Sequence, residues 1–283
     1  MGELGQVLKS IRLNRGYSQL LASHRIVSQG VYSKVEAGTR DLDAAAFFKI
    51  ANRMNVTPDE IEFISNGYDY NEKQKILNQF FKLNYNNPDK LQDIKQQAMT
   101  YLKIEDDVEL REVYLLCEAL LIVSNKSDFE AARKVIEPIS TRLKTYNEWY
   151  LYDIRLINMF LFMYPLDTTI AFSEKVLQRL KCYDKHEKVE QLKDIFNINL
   201  SLLYIKTNKA NEALALIEER LKDRQHMSYT MLALSLSRRA LCKKILKMPN
   251  YEEDQQVVKN ILQAYEAHDL LERVEEEFEK YAV

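Results

Sequence analysis

The chain has little glycine, proline or cysteine for its 283 residues. All six glycines lie at or before Gly67, and the 216 residues that follow contain none. Glycine supplies the positive-φ conformations that tight hairpin turns need, so a glycine-free stretch with few prolines is hard to build from β-hairpins. The sequence therefore predicts an all-α protein.

The three cysteines, Cys117, Cys182 and Cys242, are far apart and lie in apolar helical contexts. This pattern is typical of reduced thiols in a cytoplasmic protein, and it does not indicate a disulfide framework. The sequence also lacks a run of about eighteen apolar residues, the length that a membrane-spanning helix requires. We therefore expect a cytoplasmic protein with no membrane partner.

Signals for catalysis or metal binding are also missing. The four histidines lie in separate segments without the HExxH spacing, and the chain has neither a CxxC pair nor a glycine-rich phosphate loop. The sequence predicts no enzyme, no metal and no cofactor. An active site assembled from distant carboxylates remains an alternative, although no group of residues favours one.

The most informative stretch runs from Ser18 to Gly38, where two short helices are predicted. Ser18 and Ser28 are suitable N-caps, and Gly38 is a suitable helix stop. In the second helix Tyr32 and Val35 can pack inward, which leaves these residues facing out: Gln29, Gly30, Val31, Ser33 and Lys34. Such a face suits a DNA major groove, because Gln can pair with adenine and Lys with guanine.

Helices on either side extend this region. Leu4, Leu8 and Ile11 form the apolar stripe of a first helix, which predicts that Lys9, Arg12 and Arg15 are exposed. A fourth helix follows Gly38, and Thr57-Pro58 opens a fifth. Residues 1–40 hold six Lys or Arg against two acids, a local positive charge as phosphate binding requires. Charge alone fits an ordinary solvated surface equally well.

These residues resemble the Cro/CI-type (XRE) helix-turn-helix over residues 1–66. The resemblance rests on five helices, Gln19 at the second position of helix two, the Ser28-Gln29 start of helix three and its Lys34-Val35-Glu36-Ala37-Gly38 ending. The chain departs from the family in its turn, with Arg25 and Ile26 where many members have Gly. The resemblance implies that Gln19 contacts phosphate, that Gln29, Gly30 and Lys34 lie over base edges, and that basic residues steady the DNA backbone. The predicted DNA-binding residues are Arg12, Arg15, Gln19, Ser28, Gln29, Gly30, Ser33, Lys34 and Arg40.

Beyond a turn-rich linker at residues 67–71, residues 72–283 are predicted to form five pairs of helices, the last of them broken in two. Leu120-Leu121-Ile122-Val123 matches Leu202-Leu203-Tyr204-Ile205 at an offset of 82 residues, with a related segment halfway between. The implied period of about 40 residues is typical of helix-pair repeats that stack into an α-solenoid of tetratricopeptide-like units. An ordinary helical bundle is the alternative.

In plan and length the whole chain is similar to the Rgg-type regulators of Gram-positive bacteria. The resemblance implies a cytoplasmic, homodimeric transcription factor that binds a double-stranded DNA operator. It also implies that the repeat domain dimerises and binds a short signalling peptide in its concave groove. The runner-up function is a helical-repeat adaptor without sequence-specific DNA binding. Exposed Gln29, Ser33 and Lys34 favour the regulator.

Polar residues on the first helix of each pair are the candidates for peptide contact. An extended peptide has no sheet partner in a helical groove, so side chains must satisfy its backbone N–H and C=O groups. The predicted peptide-binding residues are Arg155, Asn158, Glu190, Asn197, Asn199 and Arg238.

Overall fold

The computed structural model describes residues 2–83, 87–183, 186 and 189–282. Over these residues all regular structure is helical, with seventeen α-helices and short 3-10 turns. The all-α prediction is confirmed. Packing divides the chain into two compact units, Met1–Asn84 with Gln96–Val113 and Tyr85–Lys95 with Tyr114–Val283. The segment 67–71 lies inside the first unit, and a domain boundary there stays a prediction.

The first unit begins with the five predicted helices. The N-caps that the sequence indicated are confirmed: Ser28 accepts a hydrogen bond from the Val31 N–H at 3.3 Å, and Thr57 accepts one from the Glu60 N–H at 3.1 Å. Pro58 occupies the first turn of the fifth helix, where its missing N–H costs nothing. The helices are α1 (Gly2–Asn14), α2 (Gln19–Ser23), α3 (Gln29–Glu36), α4 (Ala44–Arg53) and α5 (Pro58–Ser65).

The apolar stripes of these short helices meet in one core. Leu8 of α1, Tyr32 of α3, Ile50 of α4 and Ile61 of α5 are at most 1% exposed. Helices of five to thirteen residues are marginal in isolation. The packing of these side chains therefore holds the five helices in place.

Five helices follow in the order α6 to α10. Asn71 and Gln74 form a capping box at the start of α6. The second helix of the second predicted pair is broken at Ile136, a break that the sequence pattern did not predict. Pro138 lies in the first turn after the break and has no N–H to continue the preceding helix. The helices are α6 (Glu72–Phe81), α7 (Pro88–Leu102), α8 (Val108–Lys126), α9 (Phe129–Val135) and α10 (Glu137–Thr145).

The remaining helices complete the five predicted pairs. The second helix of the last pair is broken in two, as predicted. The break is a turn in which Glu266 has a φ of +53°. The helices are α11 (Leu151–Phe160), α12 (Leu166–Leu180), α13 (Glu190–Lys206), α14 (Ala210–Leu221), α15 (Tyr229–Ile245), α16 (Tyr251–Ala264) and α17 (His268–Tyr281).

Within the second unit the first helices of successive pairs lie side by side. Helix α13 packs against α12, α14 and α15, and α15 packs in turn against α16 and α17. The Asn199 amide of α13 donates to the Asn158 side-chain oxygen of α11 at 3.1 Å. This row of first helices, α11, α13 and α15, is the arrangement that stacked helix pairs produce.

The close approach of α1 and α3 yields the first prediction. A Cβ placed on Gly5 would overlap the carbonyl oxygen of Val35, whereas a Cβ on Gly30 would meet no atom within 4 Å. We expect Gly5→Ala to lower the free energy of unfolding by about 1–3 kcal/mol, because α3 must move away from α1. Gly30→Ala should leave it unchanged or raise it by about 0.5 kcal/mol.

Hydrogen exchange of the amides in α1 and α3 measures both variants in the full chain. Equal protection in Gly5→Ala and Gly30→Ala would contradict the close packing of α1 on α3.

Candidate functional site

Helix α3 presents a polar strip on the surface of the first unit. Gln29, Gly30, Ser33 and Lys34 are exposed, while Tyr32 and Val35 of the same helix are buried. This is the division that the sequence pattern predicted. Since buried residues fix the rotation of the helix, the strip is held outward as a rigid surface.

A buried ion pair joins α1 to α3. The Arg12 guanidinium donates from Nε to Glu36 Oε1 at 2.5 Å and from Nη2 to Oε2 at 2.9 Å. Its Nη1 donates to the Tyr17 carbonyl oxygen at 2.7 Å, and Gln19 Nε2 donates to Glu36 Oε2 at 2.8 Å. The expectation that Arg12 is exposed is wrong, because its side chain is paired with Glu36 and is only 8% exposed. The charge of Arg12 is therefore already balanced by Glu36 within the domain.

These contacts perturb the pKa of both partners. Burial raises the pKa of the Glu36 carboxyl, but hydrogen bonds from Arg12 and Gln19 outweigh it and leave that pKa below its ordinary value. The hydrogen bond to Glu36 raises the pKa of Arg12 further. Both groups are therefore charged at neutral pH, and Gln19 is oriented by its bond to Glu36.

The turn between α2 and α3 is stabilised in a way that the sequence did not reveal. Arg25 adopts a left-handed conformation, with a φ of +57°, which residues other than glycine rarely adopt. Arg53 of α4 donates from Nη1 to the carbonyl oxygens of His24, at 2.5 Å, and Leu21, at 3.1 Å. These carbonyls at the end of α2 have no partner within the helix, so Arg53 acts as its C-terminal cap.

The remaining predicted residues of this surface are more accessible than Arg12. Ser28, Arg15 and Arg40 are exposed, and Gln19 is half-buried. Arg15 reaches the Asn55 carbonyl oxygen at 3.4 Å. Arg15, Lys34 and Arg40 are therefore the predicted cations whose charge faces solvent.

In the second unit the structure separates the predicted groove residues into two groups. Arg155 is exposed and lies one turn from Asn158 on α11, and Asn158 accepts from exposed Asn199 of α13. These three residues belong to neighbouring first helices and share one accessible region.

Glu190 and Asn197 lie on another face of α13, together with Asp194. Arg220 of α14 is ion-paired with Glu190, at 2.9 Å, and with Asp194. Burial raises the pKa of Asp194, against the effect of Arg220. Asn197 is only 9% exposed. This face of α13 is directed toward α14. Glu190 and Asn197 therefore lie outside the accessible region that contains Asn199.

Arg238 is also enclosed. It is 4% exposed, and its Nη2 donates to Glu277 Oε2 of α17 at 2.8 Å. Burial lowers the pKa of Arg238 to about 10. Helix α17 therefore covers the residue that the sequence had placed in the groove.

Comparison with known proteins identifies the first unit. Residues 8–61 match the helix-turn-helix family HTH_3. This part of the chain is a helix-turn-helix domain. In it α2 and α3 are the two helices of the motif, and the polar strip lies on the second.

The whole chain is similar in fold to three solved structures. The SHP pheromone receptor Rgg2 of Streptococcus dysgalactiae has a TM-score of 0.75 at 15% identity, covering 99% of this chain and 100% of that chain. PlcR of Bacillus thuringiensis, solved with the peptide PapR7 and DNA, has a TM-score of 0.69 at 16% identity, covering 97% and 99%. ComR of S. thermophilus, solved with DNA and its signalling peptide ComS, has a TM-score of 0.62 at 14% identity, covering 99% and 100%.

At these identities the likeness shows a shared fold. No curated protein sequence matches the chain. Among the helices of the described residues, none is long and apolar enough to cross a membrane.

The buried ion pair of the helix-turn-helix domain gives a second prediction. Arg12→Met should lower the free energy of unfolding of this domain by about 3–5 kcal/mol, because it leaves the Glu36 carboxylate buried and unpaired. The double variant Arg12→Met/Glu36→Leu should lose less free energy of unfolding than Arg12→Met alone, because it leaves no buried charge. Thermal unfolding of the full chain, with hydrogen exchange of α1 and α3, measures the difference. Arg15→Met, at an exposed cation just after α1, is the matched control.

The lowered pKa of Glu36 predicts how the stability of the helix-turn-helix domain depends on pH. Because the folded-state pKa lies below the unfolded value of about 4.3, the ion pair stabilises the domain above that pH. This stability should be lost as the pH falls through the folded-state pKa. In Glu36→Gln this acid-induced loss should be smaller. If the helix-turn-helix domain of the unmodified protein and that of Glu36→Gln unfold at the same acidic pH, the stabilising role of the ionised Glu36 would be contradicted.

Proposed function

We propose that the protein is a sequence-specific DNA-binding transcriptional regulator, controlled by a short signalling peptide that binds the helical repeats. The exposed strip of α3 within a helix-turn-helix domain carries this proposal. The function assigns no catalytic role to the chain. Because its target is operator DNA, the proposal places the protein in the cytoplasm.

The strip offers the side chains that read base edges. The Gln29 amide can donate to and accept from adenine, and the Lys34 ammonium can donate to the two acceptors of guanine in the major groove. Gly30 has no side chain, so the backbone of α3 can approach the bases closely at this point. Ser33 supplies a hydroxyl to either kind of base. Arg15 and Arg40 are proposed to contact phosphates, which fix position without reading sequence.

One such motif reads few base pairs, so two copies are proposed to act together. Helix-turn-helix dimers bind two half-sites that are related by two-fold symmetry and lie about one helical turn apart. The protein is accordingly proposed to be a homodimer on DNA.

The likeness to PlcR and ComR, each solved with a peptide and DNA, supports a peptide ligand for the repeats. Arg155, Asn158 and Asn199 are the proposed contacts, since they lie together on neighbouring first helices. Carboxamides can satisfy both the N–H and the C=O groups of an extended peptide backbone. Glu190, Asn197 and Arg238 are not part of the proposed site, because neighbouring helices engage or enclose them.

The DNA-binding proposal is tested by selecting bound duplexes from a random DNA pool with the full chain. A two-fold-related site should be enriched. Gln29→Ala should cost about 1–3 kcal/mol on that site and relax the preference at one base position. Arg15→Ala should weaken binding to all duplexes and reduce the salt dependence by about one phosphate contact. Gln6→Ala, at an exposed glutamine of α1, is the control and should match the unmodified protein.

An equal loss on every sequence in Gln29→Ala would remove Gln29 from base readout. Weak binding that salt abolishes, with no enriched sequence, would favour the helical-repeat adaptor.

The peptide-binding proposal is tested with a pool of short synthetic peptides of random sequence, incubated with the protein and identified by mass spectrometry after removal of unbound material. Asn199→Ala should retain fewer peptides, because a backbone partner is lost, and should bind DNA normally without peptide. The matched control is Asn211→Ala, at an exposed asparagine of α14. The same retained peptides in Asn199→Ala and the unmodified protein would exclude Asn199 from the site.

A further inference from the structure

A cavity of about 310 Å³ lies between α15, α16 and α17, the last three helices of the chain. This volume is at the lower end of the range of small-molecule sites in proteins, about 300–1,000 Å³. The cavity is not part of the proposed peptide site, because none of its walls comes from α11 or α13. It could therefore serve a separate ligand.

The cavity has an apolar wall formed by Val258 of α16 with Leu271, Val274 and Phe278 of α17. Val258 and Val274 are 2% and 8% exposed, so this wall continues the core of the last three helices. Such a surface can accommodate the methylene groups of an amphipathic ligand.

Charged and polar side chains line the rest of the cavity. Glu252, Gln255 and Lys259 occur at spacings of three and four residues and so share one face of α16, and Glu275 of α17 also lines the cavity. Within the part of the chain that the structure describes, none of these four has a hydrogen bond or ion pair. Gln256 lines the cavity as well, but its amide donates to Asn260 at 2.9 Å.

Asp254 differs from the charged side chains of the cavity, because it has partners within the protein. This carboxylate also belongs to α16, but on the face toward α15, where Arg239 donates to it and Lys243 contacts it at 2.9 Å. These hydrogen bonds outweigh the effect of burial and leave the pKa of Asp254 below its ordinary value. The charge of Asp254 is thus balanced by partner side chains, whereas Glu252, Lys259 and Glu275 around the cavity are exposed to solvent and unpaired.

A hydroxyl that solvent can reach also faces the cavity. Ser237 of α15 lines it and is only 4% exposed. Its hydroxyl makes no hydrogen bond to any of the residues described in the structure. An accessible hydroxyl without a partner in the protein is free to donate to or accept from a group in the cavity. Ser237 is therefore positioned to bind a polar group that enters the cavity.

We propose that this cavity binds a free basic amino acid, of the arginine or lysine type. Two carboxylates and one ammonium, from Glu252, Glu275 and Lys259, complement a ligand with two cationic groups and one carboxylate. The ligand's carboxylate pairs with Lys259, and its ammonium and side-chain cation pair with the two glutamates. The aliphatic part of its side chain lies on the apolar wall, and Ser237 and Gln255 supply further hydrogen bonds.

The test is isothermal titration of the full chain with L-arginine and L-lysine. Saturable binding is expected, and Glu275→Gln should weaken it about ten-fold or more, as expected for loss of a charged hydrogen bond. Agmatine, which is arginine without its carboxylate, should bind more weakly than L-arginine, and Lys259→Met should remove that difference. Glu276→Gln is the matched control, since this exposed glutamate is the next residue along α17 and does not line the cavity.

Three results would overturn the proposal. Absence of saturable binding with both amino acids would exclude the ligand class. Equal weakening by Glu275→Gln and Glu276→Gln would reduce the effect to general attraction by an acidic helix. Equal binding of agmatine and L-arginine would exclude the pairing of Lys259 with a carboxylate. The variants should keep the thermal stability of the unmodified protein, and none of these results depends on DNA or peptide binding.

Discussion

The carboxylate of Glu36 is enclosed between the first three helices, and the outward face of α3 depends on how it is satisfied. Arg12 binds it with two donors, and Gln19 adds a third. Arg12 also binds the Tyr17 carbonyl oxygen, so one guanidinium connects α1, the segment before α2 and the end of α3. Because a buried carboxylate without its donors is costly, these elements hold one arrangement. Base readout requires this rigidity, since side chains on α3 can discriminate bases only if the helix itself does not rotate.

Much of this domain could be predicted from local sequence. Ser28 and Thr57 start their helices as expected, and the spacing of Tyr32 and Val35 correctly places Gln29 and Lys34 on the surface. Caps and amphipathic spacing act within a few residues, so they are readable without the fold. The five helix pairs that follow residue 71 could be predicted for the same reason, and because the sequence contains no glycine after Gly67.

The errors concern polar side chains whose partners are distant in sequence. Arg12 follows Ile11 and lies four residues after Leu8, at the edge of an apolar stripe, where local spacing cannot distinguish an exposed cation from a buried one. Its partner is 24 residues away. Arg238 is similar, because Glu277, 39 residues further on, encloses it beneath α17. Contacts of this kind become visible only when the helices have been packed together.

The two asparagines of α13 show why a groove is harder to predict than a helix. Asn197 and Asn199 are two residues apart, so with 3.6 residues per turn they point in nearly opposite directions. No single groove can receive both side chains. The structure resolves the choice through their neighbours: the face of Asn197 is directed to Arg220 of α14, whereas Asn199 reaches across to Asn158 of α11. Composition alone made both residues suitable for a peptide, and only the order in which the helices pack decides which of them a ligand can reach.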